Sequence, residues 1–250
     1  RQGRDFKIWM NSWIRENARK VEVHILNPTS ILTTKDAAKF NKLLASSSSQ
    51  ITAVGVGALG SQIILNTVRA GQGKWHLVDE DHLLPHNVAR HALPTKYIGK
   101  PKTDSMKHLL NEIFIEETIA SNQNINVLKN VDKEFTSNLN DSDYIFDFSA
   151  SVAVSRKLTL DFEAEAPRVS CFLNPDGNDL VLLAEPRDRS FRLDILEMEY
   201  YKSLYTDSSL HGHLMSDGNP IRYAHNCRDL SAQIPQYFFS IHSGIASKHI

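Results

Sequence analysis

Cysteine is scarce in this chain: Cys171 and Cys227 are the only two in 250 residues. Two thiols cannot make a disulfide framework, so the chain is expected to work in a reducing compartment, the cytoplasm. With no CxxC pair, a four-thiolate zinc site is excluded. Also missing is any run near the ~20 apolar residues of a membrane span, so no membrane partner is expected. No charge sign dominates: Lys plus Arg number 28 and Asp plus Glu 29, a formal net charge of −1. That balance speaks against a nucleic-acid surface. There is no starting Met, and Ile250 ends an apolar, helix-like run. The chain is therefore expected to be a piece of a longer protein.

Between these absences the chain alternates strands and helices. Residues 5–20 space Phe6, Trp9, Met10 and Trp13 as a helix, and 21–26 alternate as a strand. Residues 36–45 predict a second helix and Ser46–Ser49 a surface loop. From 51 onward the order is ITAVGV strand, SQIILNTVRA helix, KWHLVD strand, KTDSMKHLLNEIF helix, then INVLKNV and DYIFDFS strands. This pattern predicts an α/β fold, a Rossmann-like and mostly parallel sheet with helices on both faces. After 150 come a helix (VAVSRKLTLDF), two strands (RVSCFLN and LVLLAEP), a helix over 190–206, a long polar loop over 207–226, and a last helix. The expected division is an N-terminal extension over 1–49 and an α/β domain over 50–250, with a long loop around 207–230 that carries a cysteine.

Chemistry is concentrated between Ile51 and Lys102. Gly55, Gly57 and Gly60 form a glycine-rich turn between strand and helix, where backbone N–H groups face a phosphate with no Cβ in the way. Asp79 ends the next strand, where a carboxylate reads ribose hydroxyls, and Asp81 follows. A glycine turn and an acidic strand end also suit a NAD-dependent oxidoreductase. Asn87, Arg90 and Lys102 shift the balance, because two cations and an amide serve a triphosphate whose oxygens gain charge in the transition state. His82, His86, His91, His211, His213 and His225 are numerous, but they fall within this motif or in the polar loop, and no zinc site is expected.

GVGALGS, LVDEDHLLPHNVARH and IGKPK together resemble the ThiF/MoeB/ubiquitin-activating enzyme family over residues 50–250. NVARH is most similar to its bacterial members, some fused to a ubiquitin-conjugating domain or encoded in anti-phage operons. The resemblance implies ATP-dependent adenylation of the C-terminal carboxylate of a ubiquitin-like protein, then transfer to a cysteine as a thioester. It implies that Gly55, Gly57 and Gly60 pass the ATP phosphates over backbone and that Asp79 holds the ribose. Asp81 would lie near phosphate or metal, while Asn87, Arg90 and Lys102 would neutralise the triphosphate. An arginine from a dimer partner, Arg15 or Arg19, would reach the γ-phosphate.

The family carries Asp-x-x-Asp after the DYIFD strand, its second Asp holding magnesium; here that position is Ala150. Asp147 or Asp81 is left to take the Mg2+, or adenylation is impaired and the chain is a scaffold half of an activating complex. Cys171, in an apolar strand, reads as structural. Cys227, at a loop-to-helix junction beside Arg228, reads as the thioester nucleophile. Expected partners are a ubiquitin-like protein, a ubiquitin-conjugating protein or domain, and a second subunit.

Overall fold

The computed structural model describes residues 31–114, 117–129, 131–215, 221–222, 230–231 and 233–250. The helix expected at 5–20, the strand at 21–26, and Arg15 and Arg19 lie outside the described residues. Elements are numbered below from the first described one.

The central parallel strands carry apolar residues on both faces, as a sheet covered on both sides requires. Strand β1 is Ser47–Val54, β2 Gln72–Val78, β3 Ala120–Gln123, β4 Tyr144–Asp147, β5 Arg168–Leu173 and β6 Leu180–Ala184. Their order across the sheet is β3-β2-β1-β4-β5-β6, parallel throughout except for β6, which runs antiparallel to β5. This confirms the Rossmann-like α/β class. Alternate side chains separate two cores. Ala53, Leu77 and Phe146 join one cluster with Ile63, Met106 and Phe239. Their chain neighbours Val54, Val78 and Ile145 join the other with Phe135, Leu139 and Leu158.

Helix α1 (Thr34–Phe40) precedes β1, and α2 (Ala58–Arg69) joins β1 to β2. Helix α3 (Lys102–Asn111) precedes β3, α4 (Lys133–Asn140) precedes β4, and α5 (Val152–Leu160) precedes β5. Helix α6 (Leu193–Thr206) follows β6, and α7 (Gln236–His249) ends the chain, packed along α2. Between them β7 (Ile221–Arg222) and β8 (Leu230–Ser231) form a small antiparallel ribbon within the region expected to be loop.

Three readings are corrected. Ser47–Ser49 open β1 rather than forming a loop, so the division drawn at residue 50 falls inside a strand. The strand expected over 125–131 is instead Ala120–Gln123. Residues 127–129 turn, with Leu128 N donating to Asn126 Oδ1 at 2.9 Å, and Asp132 then caps the helix Lys133–Asn140, which the pattern did not suggest.

One buried cation braces the far side of the sheet. Arg168 opens β5 and is 1 % exposed. Its guanidinium donates to the carbonyl oxygens of Leu158, Phe162, Ala164 and Ala166 at 2.5–3.3 Å. Leu158 lies in the last turn of α5 and the other three in the segment between α5 and β5, where no ladder satisfies them. Burial lowers the Arg168 pKa to about 10, so it stays charged at neutral pH. Each of these oxygens left buried without a donor costs about 1–3 kcal/mol. Arg168→Ala is expected to lower the urea midpoint sharply. Arg168→Lys should recover only part of it, because an ammonium lacks the planar fork.

Candidate functional site

Register brings the ends of three strands to one level. Val54 aligns with Val78 on one side and with Asp147 on the other, so Gly55, Asp79 and Phe148 leave the sheet together. The chain order reverses between β1 and β4, the place where open α/β sheets take ligands.

The glycine turn is held tightly at two positions and open at the third. Gly55 has φ +94°, and a Cβ there would lie 2.6 Å from Ser149 N. A Cβ on Gly60 would lie 2.6 Å from the Gly55 carbonyl oxygen. A Cβ on Gly57 would meet nothing within 4 Å. Gly57 is the N-cap of α2 and offers no side-chain cap, so the first turn keeps its N–H groups and the positive end of its dipole for a ligand.

Asp79 and His91 fix this turn through the Val56 peptide. Val56 N donates to Asp79 Oδ2 at 2.7 Å, while the other Asp79 oxygen accepts Asp81 N at 2.9 Å. Burial raises the Asp79 pKa and the nearby Lys102 charge opposes that rise. On the other side, His91 Nε2 lies 2.7 Å from the Val56 carbonyl oxygen, and Leu93 N donates to His91 Nδ1 at 3.1 Å. Because Nδ1 must accept, the proton sits on Nε2, which donates to Val56. Burial drives the His91 pKa down to about 4. The sequence sets His91 inside the nucleotide motif with no zinc expected there, and its bond to the turn is a tertiary contact that the residue string does not announce.

Lys102 and Asp81 are brought together by a short return of the chain. Lys102 N donates to the Asp81 carbonyl oxygen at 2.9 Å, and Lys102 Nζ donates to Asp81 Oδ2 at 2.8 Å. The ammonium is nearly enclosed, with its side chain 9 % exposed, whereas that of Asp81 is 56 % exposed. Asn87 Oδ1 accepts Leu84 N at 2.9 Å and so closes the loop that leads to Arg90. The Arg90 guanidinium stacks 5.5 Å from the centre of the Phe239 ring on α7. Its carbonyl oxygen accepts Gln62 Nε2 at 2.7 Å, and Gln62 in turn accepts from Ser243 Oγ at 3.4 Å. Gln62, which the sequence did not single out, thus couples α2, Arg90 and α7.

Asp147 faces inward. It is 2 % exposed, and its Oδ1 accepts both Ser149 N at 2.9 Å and Ser149 Oγ at 2.6 Å. Burial raises its pKa to about 6, against the pull of the Ser149 bonds. It therefore offers no open carboxylate to a metal, the role first considered for it. Among the described residues no three His, Cys, Asp or Glu side chains are grouped to hold a metal. Cys171 is fully buried in β5, and burial followed by the Asp147 charge pushes its thiol to about 12, in line with a structural residue. Cys227 lies outside the described residues. No described helix is long and apolar enough to cross a membrane.

The buried groups imply a pH signature. A His with a folded pKa near 4 and an unfolded value of 6.5 withdraws stability as pH falls through that window. Asp147, raised from 3.8 to about 6, has the opposite sign, stabilising more as pH falls. His91→Gln should leave the Asp147 trend unopposed. Urea midpoints measured from pH 7 to 4 should then fall less steeply than in the unsubstituted chain. Equal slopes would remove His91 from the clamp.

The ThiF family model matches residues 32–162, which contain every described site residue above except those on β5 and α7. A Vibrio cholerae protein, ATP-dependent ubiquitin transferase-like protein Cap2, is 28 % identical over 120 residues, 45 % of this chain and 19 % of that protein. The chain thus spans about a fifth of the length of this curated relative. Among solved structures, PaaA superposes with a TM-score of 0.57 at 16 % identity, covering 94 % of this chain and 71 % of its own. Escherichia coli MccB with AMPCPP and MccA gives 0.55 at 12 % identity, covering 86 % and 56 %. MccB with ATP gives 0.52 at 15 %, covering 86 % and 57 %. At these identities the structures establish the fold alone. The family model takes in more than half of the 250 residues, and the chain belongs to the ThiF family.

Proposed function

We propose that the chain binds ATP across the carboxyl ends of β1, β2 and β4 and transfers its adenylyl group to the C-terminal carboxylate of a ubiquitin-like protein. The acyl group then passes to Cys227. One observation carries the first half: the uncapped N-terminus of α2 at Gly57 and the nearly enclosed Lys102 ammonium lie at one sheet edge. That pairing suits an anion with several phosphates. Family membership and the Cap2 resemblance support an activating reaction, and MccB, of the same fold, has been crystallised with ATP and with AMPCPP.

In the proposed sequence a carboxylate oxygen attacks the α-phosphorus, the bond to the β-phosphate bridging oxygen breaks, and pyrophosphate leaves. Lys102 meets charge growing on the phosphate oxygens, and Arg90 assists once it leaves the Phe239 face. The Cys227 thiolate next attacks the acyl carbon and AMP leaves, so the acyl group stays activated. A conjugating-type protein or domain would accept it, and a second subunit would complete the site.

A second reading is a non-catalytic half of an activating complex. It is favoured by Ala150 and by the engagement of Asp81 with Lys102. Exchange of labelled pyrophosphate into ATP, dependent on the ubiquitin-like protein, separates the two. Lys102→Ala and Arg90→Ala should each cut exchange by on the order of 10²-fold. No exchange by the unsubstituted chain with its cognate protein would leave the scaffold reading.

Thioester formation is tested separately. With ATP and the ubiquitin-like protein, a heavier, reductant-sensitive band is expected. Cys227→Ala should abolish the band and leave pyrophosphate exchange intact. Persistence of the band in that variant would place the nucleophile elsewhere.

A further inference from the structure

We infer that this edge holds nucleotide phosphate through its cationic side chains and backbone N–H groups, without a protein carboxylate on a divalent cation, and that position 150 decides this. The inference rests on the nucleotide reading above and sharpens it.

Magnesium needs only one or two carboxylates beside phosphates and waters, so the carboxylates that follow the strand ends must be considered one at a time. Asp79 turns one oxygen to Val56 N and the other to Asp81 N, and the lone pairs left over are the ones assigned to ribose hydroxyls. Glu80 accepts from Asn126 Nδ2 at 2.6 Å. Asp81 shares its Oδ2 with the Lys102 ammonium at 2.8 Å, and a second cation at that carboxylate would meet the repulsion of the first. Asp147 is turned inward beneath Ser149. The residues present do not fit a magnesium site.

The backbone marks the vacant position. Ser149 N donates to Asp147, Ser151 N donates to Ser149 Oγ at 3.2 Å, and Ser151 accepts from Val154 N to cap α5. This serine relay holds the turn after β4 against Gly55 of the glycine turn. Ala150, between the two serines, is exposed and has φ +54°. Ala gains nothing in that left-handed region, whereas Asp tolerates it better. A carboxylate is therefore accommodated by this backbone, and the chain has none there.

A cationic site without its own metal ligand favours the more negative form of the nucleotide. Free ATP carries two more negative charges than its magnesium complex. The test is calorimetric titration of the full chain with ATP in magnesium and in EDTA, beside Ala150→Asp, whose melting temperature checks its fold. The unsubstituted chain should bind ATP at least as tightly in EDTA. Ala150→Asp should melt no lower and should reverse the preference, binding about tenfold tighter with magnesium. Binding by the unsubstituted chain that is more than about threefold tighter with magnesium overturns the inference alone. A folded Ala150→Asp that shows no reversal removes position 150 from it. No binding in either condition overturns the nucleotide reading and this inference together.

Discussion

The Val56 backbone is the point on which the strand edge depends. Its N–H is held by Asp79 and its C=O by His91, so the two peptide units that meet at Val56 are each fixed by a residue contributed after β2. Gly55 and Gly57 flank it, and glycine is the residue that gives a backbone the most freedom to lose. Two hydrogen bonds, to the half-buried Asp79 and the buried His91, remove that freedom before any ligand arrives. The N-terminus of α2 is thereby aimed, and a preorganised donor set costs no reorganisation when charge appears near it.

Asp79 illustrates how one residue serves fold and site together. An ionised carboxylate offers about four lone-pair positions. Val56 N and Asp81 N use one on each oxygen, which leaves acceptor capacity on both for hydroxyl donors. The ribose role given to Asp79 by resemblance therefore does not compete with its grip on the turn. The same carboxylate also orders Asp81, whose carbonyl and side chain in turn hold Lys102. Fixing the turn and fixing the cation are consecutive links of one chain of contacts.

What the sequence made legible followed from pattern. The apolar runs of β1, β2 and β4 and the glycine spacing identified the edge because both faces of those strands are covered. β3 was missed because it is an edge strand with Ser121 and Asn122 at its centre, so no apolar rhythm announces it. The β-branched run at 125–131 looked more like a strand, but Asn126 and Asp132 compete for the backbone through their side chains. Arg168 and His91 were illegible for another reason. Their partners are carbonyl oxygens gathered by tertiary structure, and nothing in the residue string marks a carbonyl that will lack a donor. Gln62 belongs with them, since its two partners lie on the loop after β2 and on α7.

The two cysteines are separated by the electrostatics of their surroundings. The thiolate is the nucleophile, so a thiol held near 12 is almost wholly protonated at neutral pH. Two effects hold Cys171 there, and neither is easily relieved. It is fully buried in β5, which is paired on both sides, and the Asp147 carboxylate nearby disfavours a second negative charge. Asp147 cannot move away, because its bonds to Ser149 set the turn that packs against Gly55. The contacts that shape the strand edge thus also keep Cys171 inert. With two cysteines in the chain, a thiol acceptor among its own residues is Cys227 or none.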